Sequence, residues 1–167
     1  MMPGLPQYIE PLRLAESGES ISGRLQVRTL PRLVKLLHGP DGVVDFRLEF
    51  SKDDRGGVRV NGQYSTELTA SCQRCLEPLV LRIAQPIDVD LAADTAGTEE
   101  QPVAAEAMVT ADGQIHLASF IEDEVLLGMP MAPRHDPAKC PRPAGLDTRA
   151  ARKSPFAVLK DFHPEKT

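Results

Sequence analysis

Apolar and polar residues alternate over two long stretches of the chain. Residues 44–50 alternate hydrophobic with charged side chains, a period of two that is typical of a strand with one buried face. Residues 58–72 keep the same phase throughout, which predicts one long strand, and Gly62 suggests a bulge within it. Shorter alternating runs at 79–83 and 87–91 predict two further strands.

A helical spacing of apolar residues marks three other segments. Residues 29–38 predict a short amphipathic helix, and residues 117–129 predict a second one that ends near a glycine and a proline. Consecutive acidic residues at 122–124 fan around the polar side of the second helix. We interpret them as a solvated face, because carboxylates that act as acid and base must converge on one cleft. Residues 154–162 predict a short C-terminal helix.

These elements predict the α+β fold class. We expect a mainly antiparallel β-sheet of four to six strands, or a partly closed barrel, over about residues 20–115, covered by two or three short helices. The length of 167 residues suits one domain. We assign residues 1–140 to this domain, with an acidic loop at about 92–106, and residues 141–167 to a flexible basic linker and the C-terminal helix.

Charge is segregated along the sequence although the net charge is only −5. Residues 83–133 contain ten acidic residues and no lysine or arginine, whereas residues 134–167 contain eight basic and four acidic ones. Such a chain could meet a basic protein on one surface and RNA phosphates on another, or both segments could be solvated loops. With 4% aromatic residues, contacts to RNA would be to phosphate and not to bases. The candidate interaction residues are Arg134, Arg142, Arg149, Arg152, Lys153 and Phe156.

No window approaches the roughly 20 apolar residues that a membrane span needs, and residues 1–20 lack an apolar run. We therefore expect a cytoplasmic protein without an export signal and without membrane contact. Three cysteines in such a protein are expected to be thiols or metal ligands and not disulfides.

The most specific chemical motif is the C-x-x-C pair of Cys72 and Cys75, with His135 and Cys140 far downstream. Three thiolates and one imidazole match the tetrahedral preference of a structural Zn²⁺ ion, so these four residues are the candidate metal ligands. Alternatively, Cys72 is a buried strand residue and Cys75 a turn residue. A thioredoxin-type redox site needs the pair at the start of a helix, but here strands are predicted on both sides.

The sequence contains no catalytic constellation. Ser-His-Asp arrangements, Gly-rich phosphate loops and an H-E-x-x-H pattern are missing, and His38, His116 and His163 are isolated, as surface residues are. We therefore expect no enzymatic activity and no small-molecule substrate. A zinc- or thiol-dependent enzyme acting on RNA or redox partners is the rival hypothesis, and it would require a deep pocket and an open metal position.

Three motifs in this order resemble the YceD family: Cys72-Gln73-Arg74-Cys75 after a strand, the EDEVLL segment from Glu122 running into MPMAPRHD and Cys140, and SPFAVL at 154–159. The resemblance spans about residues 10–162. It implies an accessory role in the synthesis, processing or stability of large-subunit (23S) ribosomal RNA, without catalytic activity. The implied partner is large-subunit ribosomal RNA or its assembly intermediates, met directly or through a ribosomal protein. The alternative is a protein–protein adaptor with a structural zinc or thiol site that does not contact RNA.

Overall fold

The chain folds into an antiparallel sheet that carries short helices. The computed structural model describes residues 4–52, 57–91 and 113–140. A four-stranded sheet and a two-stranded pair confirm the predicted α+β class. In chain order the elements are β1 (Tyr8–Ile9), α1 (Pro11–Ser17), β2 (Ser20–Gln26), a 3-10 turn (Val27–Thr29), α2 (Pro31–Val34), β3 (Val43–Lys52), β4 (Val58–Ser71), β5 (Pro78–Leu91), β6 (Ile115–His116) and α3 (Leu117–Gly128).

The main sheet has the order β2-β3-β4-β5, in which each strand pairs with the next one along the chain. Alternate side chains of β3 and β4 are buried, as their period of two predicts. They form one hydrophobic core with apolar residues of α1 and α3, among them Leu14, Phe120, Ile121 and Val125. The opposite face of the sheet is polar and exposed, so the sheet has one core face and one solvent face.

Strand β4 is one continuous strand of 14 residues, as predicted, but the bulge expected at Gly62 is absent from it. Its register with both β3 and β5 is unbroken. A side chain at Gly62 would overlap the carbonyl oxygen of Arg47. The glycine therefore permits close approach of two strands and does not interrupt them.

The helix predicted over residues 29–38 is shorter than expected. A 3-10 turn precedes Leu30, and α2 covers only Pro31–Val34. The chain then approaches β4: Leu37 forms an isolated bridge with Ala70, and the amide of His38 donates to the carbonyl of Thr69 over 2.8 Å. Because β3 and β4 are antiparallel, these long-range backbone bonds lie beyond the start of β3, and they replace the next helical turn.

Strand β5 replaces the two separate strands predicted at 79–83 and 87–91. It runs through Pro86 without interruption over 14 residues. A proline is tolerated there because β5 is an edge strand, paired only with β4. The other edge is β2, so the sheet is open and the alternative of a partly closed barrel is not observed.

The N-terminal elements were not predicted. Strand β1 pairs with β6 through Tyr8 and His116, and this pairing places the N-terminal segment beside the start of α3. His116 caps α3, because its Nδ1 accepts the amide N–H of Ser119 over 3.2 Å. The Tyr8 ring stands edge-on to the imidazole. His116 is thus a helix cap, where an isolated surface histidine was expected.

Several predictions fall outside the described residues: the acidic loop at 92–106, the basic linker from residue 141, the helix at 154–162, and His163. Among the helices that the structure describes, none combines the length and apolar character needed to cross a membrane.

Candidate metal centre

The first two candidate ligands lie in the turn between β4 and β5. Cys72 follows the last residue of β4 and is fully buried. The turn is closed by two backbone hydrogen bonds, from the Leu76 amide to the Cys72 carbonyl and from the Cys72 amide to the Glu77 carbonyl, each 2.9 Å long. Leu76 adopts a left-handed conformation with φ of 66°, which is uncommon for a residue with a branched side chain. This tight turn brings Cys75 back beside Cys72.

The other two ligands come from the segment that follows α3. Gln73 donates its amide to the carbonyl of Pro133 over 2.8 Å, which attaches the segment to the cysteine turn. A second turn then forms around Asp136, whose carbonyl accepts the amides of Lys139 and Cys140. Its carboxylate also accepts the amide of Ala138 over 3.0 Å. Because of this turn, His135 and Cys140 point at the same place despite the four residues between them.

The four ligand atoms of Cys72, Cys75, His135 and Cys140 all lie within 4.8 Å of one another. The sulfurs of Cys72 and Cys140 are 3.8 Å apart, and the sulfur of Cys75 is 3.4 Å from Nδ1 of His135. A tetrahedron with zinc–sulfur bonds of about 2.3 Å and a zinc–nitrogen bond of about 2.0 Å has edges of roughly 3.5–3.8 Å. These two separations match such edges, so the cluster could hold a metal ion of that size.

The imidazole of His135 is oriented by its second nitrogen. Nε2 lies 3.0 Å from the carbonyl oxygen of Pro78, the first residue of β5. A carbonyl can only accept, so Nε2 carries the proton and Nδ1 is left with a free lone pair facing the sulfur of Cys75. Metal-binding histidines commonly have this arrangement, in which a backbone carbonyl fixes the tautomer.

Hydrogen bonds around the sulfurs shift the pKa values of Cys72 and Cys75 in opposite directions. Burial alone would raise the pKa of Cys72, but backbone N–H groups of Cys75, His135 and Arg74 lower it to about 5. Partial burial, together with hydrogen bonds that the Cys75 thiol donates to the sulfurs of Cys140 and Cys72, raises the pKa of Cys75 to about 11. Without a cation among them, the thiols of this cluster do not all ionise near neutral pH.

Arg74 supplies a cationic contact that the sequence analysis missed. Its Nε donates to the sulfur of Cys140 over 2.9 Å, and this hydrogen bond raises the pKa of the Arg74 guanidinium. A Zn²⁺ ion with three thiolates carries one net negative charge, which a guanidinium in this position would balance. The position of Arg74 inside the C-x-x-C motif was the available signal.

Of the candidate interaction residues, only Arg134 lies in the described part of the chain. It is exposed and directly precedes His135. Arg142, Arg149, Arg152, Lys153 and Phe156 lie outside the described residues, so their role stays a prediction.

The interpretation of residues 122–124 as a solvated face was wrong for Glu122, which is 2% exposed. Its carboxylate accepts the backbone N–H groups of Arg32 and Leu33 over 2.7 and 2.9 Å and the Nε of Arg32 over 2.9 Å. Asp123 pairs with the same guanidinium at 2.5 Å. Glu122 therefore caps the start of α2 from α3. Its position next to Ile121 and three residues before Val125, on the apolar side of α3, was the signal.

These observations define a class of protein: a small open-sheet α+β domain in which a cluster of three cysteines and one histidine joins a turn of the sheet to a distal loop. Comparison with known proteins identifies the family within this class. Residues 60–163, more than half of the chain, match the family model described as large ribosomal RNA subunit accumulation protein YceD. The chain belongs to the YceD family, which confirms the resemblance inferred from its motifs.

A curated relative covers nearly the whole chain. The large ribosomal RNA subunit accumulation protein YceD of Haemophilus influenzae is 26% identical to it over an alignment of 166 residues, which covers 95% of each protein. No solved structure matches the chain.

The buried carboxylate of Glu122 generates a stability prediction. Replacing Glu122 with Ala leaves two backbone N–H groups at the start of α2 without their acceptor and removes one of the two carboxylates that pair with Arg32. We expect a loss of about 2–4 kcal/mol in the free energy of unfolding, measured by urea denaturation.

Asp123→Asn is the matched control, because it removes an ion pair with the same guanidinium but no backbone acceptor. It should cost less than about 1 kcal/mol. Equal losses in the two variants would contradict the capping role of Glu122.

Proposed function

We propose that this chain is a non-enzymatic accessory factor for the accumulation of large-subunit (23S) ribosomal RNA. It would act in the cytoplasm, where it would hold or stabilise an assembly intermediate. The observation that carries the proposal is membership of the YceD family, supported by a relative of that name that aligns along nearly the whole chain.

Within this function, we propose that Cys72, Cys75, His135 and Cys140 bind a structural Zn²⁺ ion. Thiolates and imidazole are the ligands that zinc prefers, and the sulfur and nitrogen separations suit its tetrahedral geometry. The hydrogen bond from His135 to the Pro78 carbonyl supports the same assignment. Bound there, the ion would neutralise the thiolates and join two segments that are 60 or more residues apart in sequence.

A closed set of four protein ligands favours a structural role over a catalytic one. Catalytic zinc sites keep a position for water or substrate, whereas this set already fills all four positions. The open groove of about 510 Å³ on the sheet offers little for catalysis either. Its charged residues Asp45 and Arg47 are occupied by ion pairs with Arg24 and Glu49.

Beyond Cys140 the sequence continues with basic residues. We propose that these residues, with Arg134 before them, contact RNA phosphates. The support is their positive charge and their place in the sequence directly after Cys140, one of the four residues of the cluster. The proposed contact residues are Arg134, Arg142, Arg149, Arg152 and Lys153, with Phe156 as an apolar contact.

The metal assignment is tested by the zinc content of protein purified without a tag or chelator. We expect about one zinc per chain, and almost none in Cys75→Ser, Cys140→Ser or His135→Asn, since each removes one of four ligands. His38→Asn is the matched control, because His38 is exposed and outside the cluster. Zinc retained in all three ligand variants, or missing from the unmodified protein, would refute the assignment.

The cellular role is tested by deleting the gene and restoring it in variant form. We expect deletion to lower large-subunit relative to small-subunit ribosomal RNA, the unmodified gene to restore the ratio, and Cys140→Ser to fail. A joint replacement of Arg149, Arg152, Lys153 and Phe156 tests the C-terminal contacts separately.

Protein levels must be equal across the complemented strains, as checked by immunoblotting. An unchanged RNA ratio after deletion would contradict the proposed function as a whole. A normal ratio with the four-residue replacement would contradict only the role of the C-terminal segment.

A further inference from the structure

Lysines and arginines of the described residues divide into two groups by their ion pairs. One group is neutralised by carboxylates, and it includes every arginine on the exposed face of the sheet. The pairs are Arg13–Glu10, Arg24–Asp45, Arg32–Glu122, Arg47–Glu49, Lys52–Glu16, Arg59–Asp88 and Arg82–Glu67.

The second group has no carboxylate partner among residues 4–52, 57–91 and 113–140. It consists of Arg28, Lys35, Arg74, Arg134 and Lys139, whose side chains are exposed. Arg74 contacts the sulfur of Cys140 instead of a carboxylate. We call these five residues the cationic end.

All five belong to the end of the sheet at which β4 passes into β5. Arg74 lies in the turn itself. Arg134 and Lys139 belong to the segment that the Gln73–Pro133 hydrogen bond attaches to this turn. Lys35 precedes the residues that bond to Thr69 and Ala70 near the end of β4. Arg28 lies two residues beyond Gln26, the last residue of β2, which pairs with the first residue of β3.

Carboxylates are also present here, but they are fewer. The segments that form this end contain three exposed carboxylates, those of Asp41, Glu77 and Asp136. The carboxylate of Asp136 accepts the amide of Ala138. What distinguishes this end is that each unpaired cation of the described residues lies on it. Unpaired, exposed cations are the groups that can exchange their counterions for phosphates.

We propose that the cationic end is the surface on which this protein binds the phosphate backbone of RNA. The inference rests on the proposed function and assigns its contact surface to the folded domain. The ligand cluster assembles this surface, because it holds the turn carrying Arg74 against the segment carrying Arg134 and Lys139. Guanidinium and ammonium groups spaced around one end recognise a line of phosphates, not base edges.

The test compares two variants of the full-length, zinc-loaded protein with equal charge change. The first is Arg28→Gln/Lys35→Gln/Arg134→Gln/Lys139→Gln at the cationic end. The second is Arg24→Gln/Arg47→Gln/Arg59→Gln/Arg82→Gln on the exposed sheet face, where each arginine is already paired. Binding to a short fluorescein-labelled RNA hairpin is measured by anisotropy over a series of salt concentrations.

We expect the first variant to lose about tenfold or more in affinity, with a salt dependence shallower by about 2 to 3 in log–log slope, because phosphate contacts are lost. The second variant should stay within about threefold of the unmodified protein. Equal losses in both variants, or no salt-dependent binding by the unmodified protein, would overturn the proposal.

Polyglutamate serves as a second probe, since an acidic protein surface could also occupy this end. Tighter binding of polyglutamate than of RNA by the unmodified protein would overturn the proposal in favour of a protein partner. These outcomes are distinct from failure of the cellular role: a lowered ribosomal RNA ratio after deletion would leave that role standing even without RNA binding at this surface.

Discussion

Three cysteine sulfurs and one imidazole nitrogen are packed within 4.8 Å of one another at one end of the sheet. Thiolates this close repel each other, and removing their charges from water is unfavourable. The arrangement is therefore stable only when a cation or protons compensate the negative charge. The turn between β4 and β5 and the segment after α3 meet mainly through this cluster and the Gln73–Pro133 hydrogen bond. The structure of this end of the domain therefore depends on how the charge of the sulfurs is neutralised.

Helix α3 connects the cysteine–histidine cluster to the rest of the domain. Its apolar face packs into the core, and Glu122 binds the start of α2 across 90 residues of sequence. The hydroxyl of Tyr64 on β4 donates to the carbonyl of Glu124 over 3.0 Å, which attaches the C-terminal half of α3 to the sheet. Beyond that end the chain leads directly to His135 and Cys140. The segment from the end of α3 to Cys140 is therefore held at one end by the packing of α3 and at the other end by the cluster.

The elements that could be predicted are those that the spacing of apolar residues within the segment itself identifies. Strands β3 and β4 and helix α3 show clean periods of two or 3.6, and the cluster was predicted because cysteine and histidine are distinctive ligands. The elements that were missed depend on distant partners. Helix α2 is cut short by bonds to β4, and Glu122 is buried by the start of α2. Gly62 suggested a bulge, but its real constraint, the Arg47 carbonyl, belongs to the neighbouring strand.

Zinc K-edge X-ray absorption of the purified protein measures how many sulfur and nitrogen atoms coordinate the ion. For a closed structural site we expect three sulfur ligands at about 2.3 Å and one nitrogen ligand at about 2.0–2.1 Å, with no oxygen ligand. A water oxygen in the first shell, or fewer than three sulfurs, would contradict the closed structural site. The cysteines would then be packing residues, or part of an open site of a different kind.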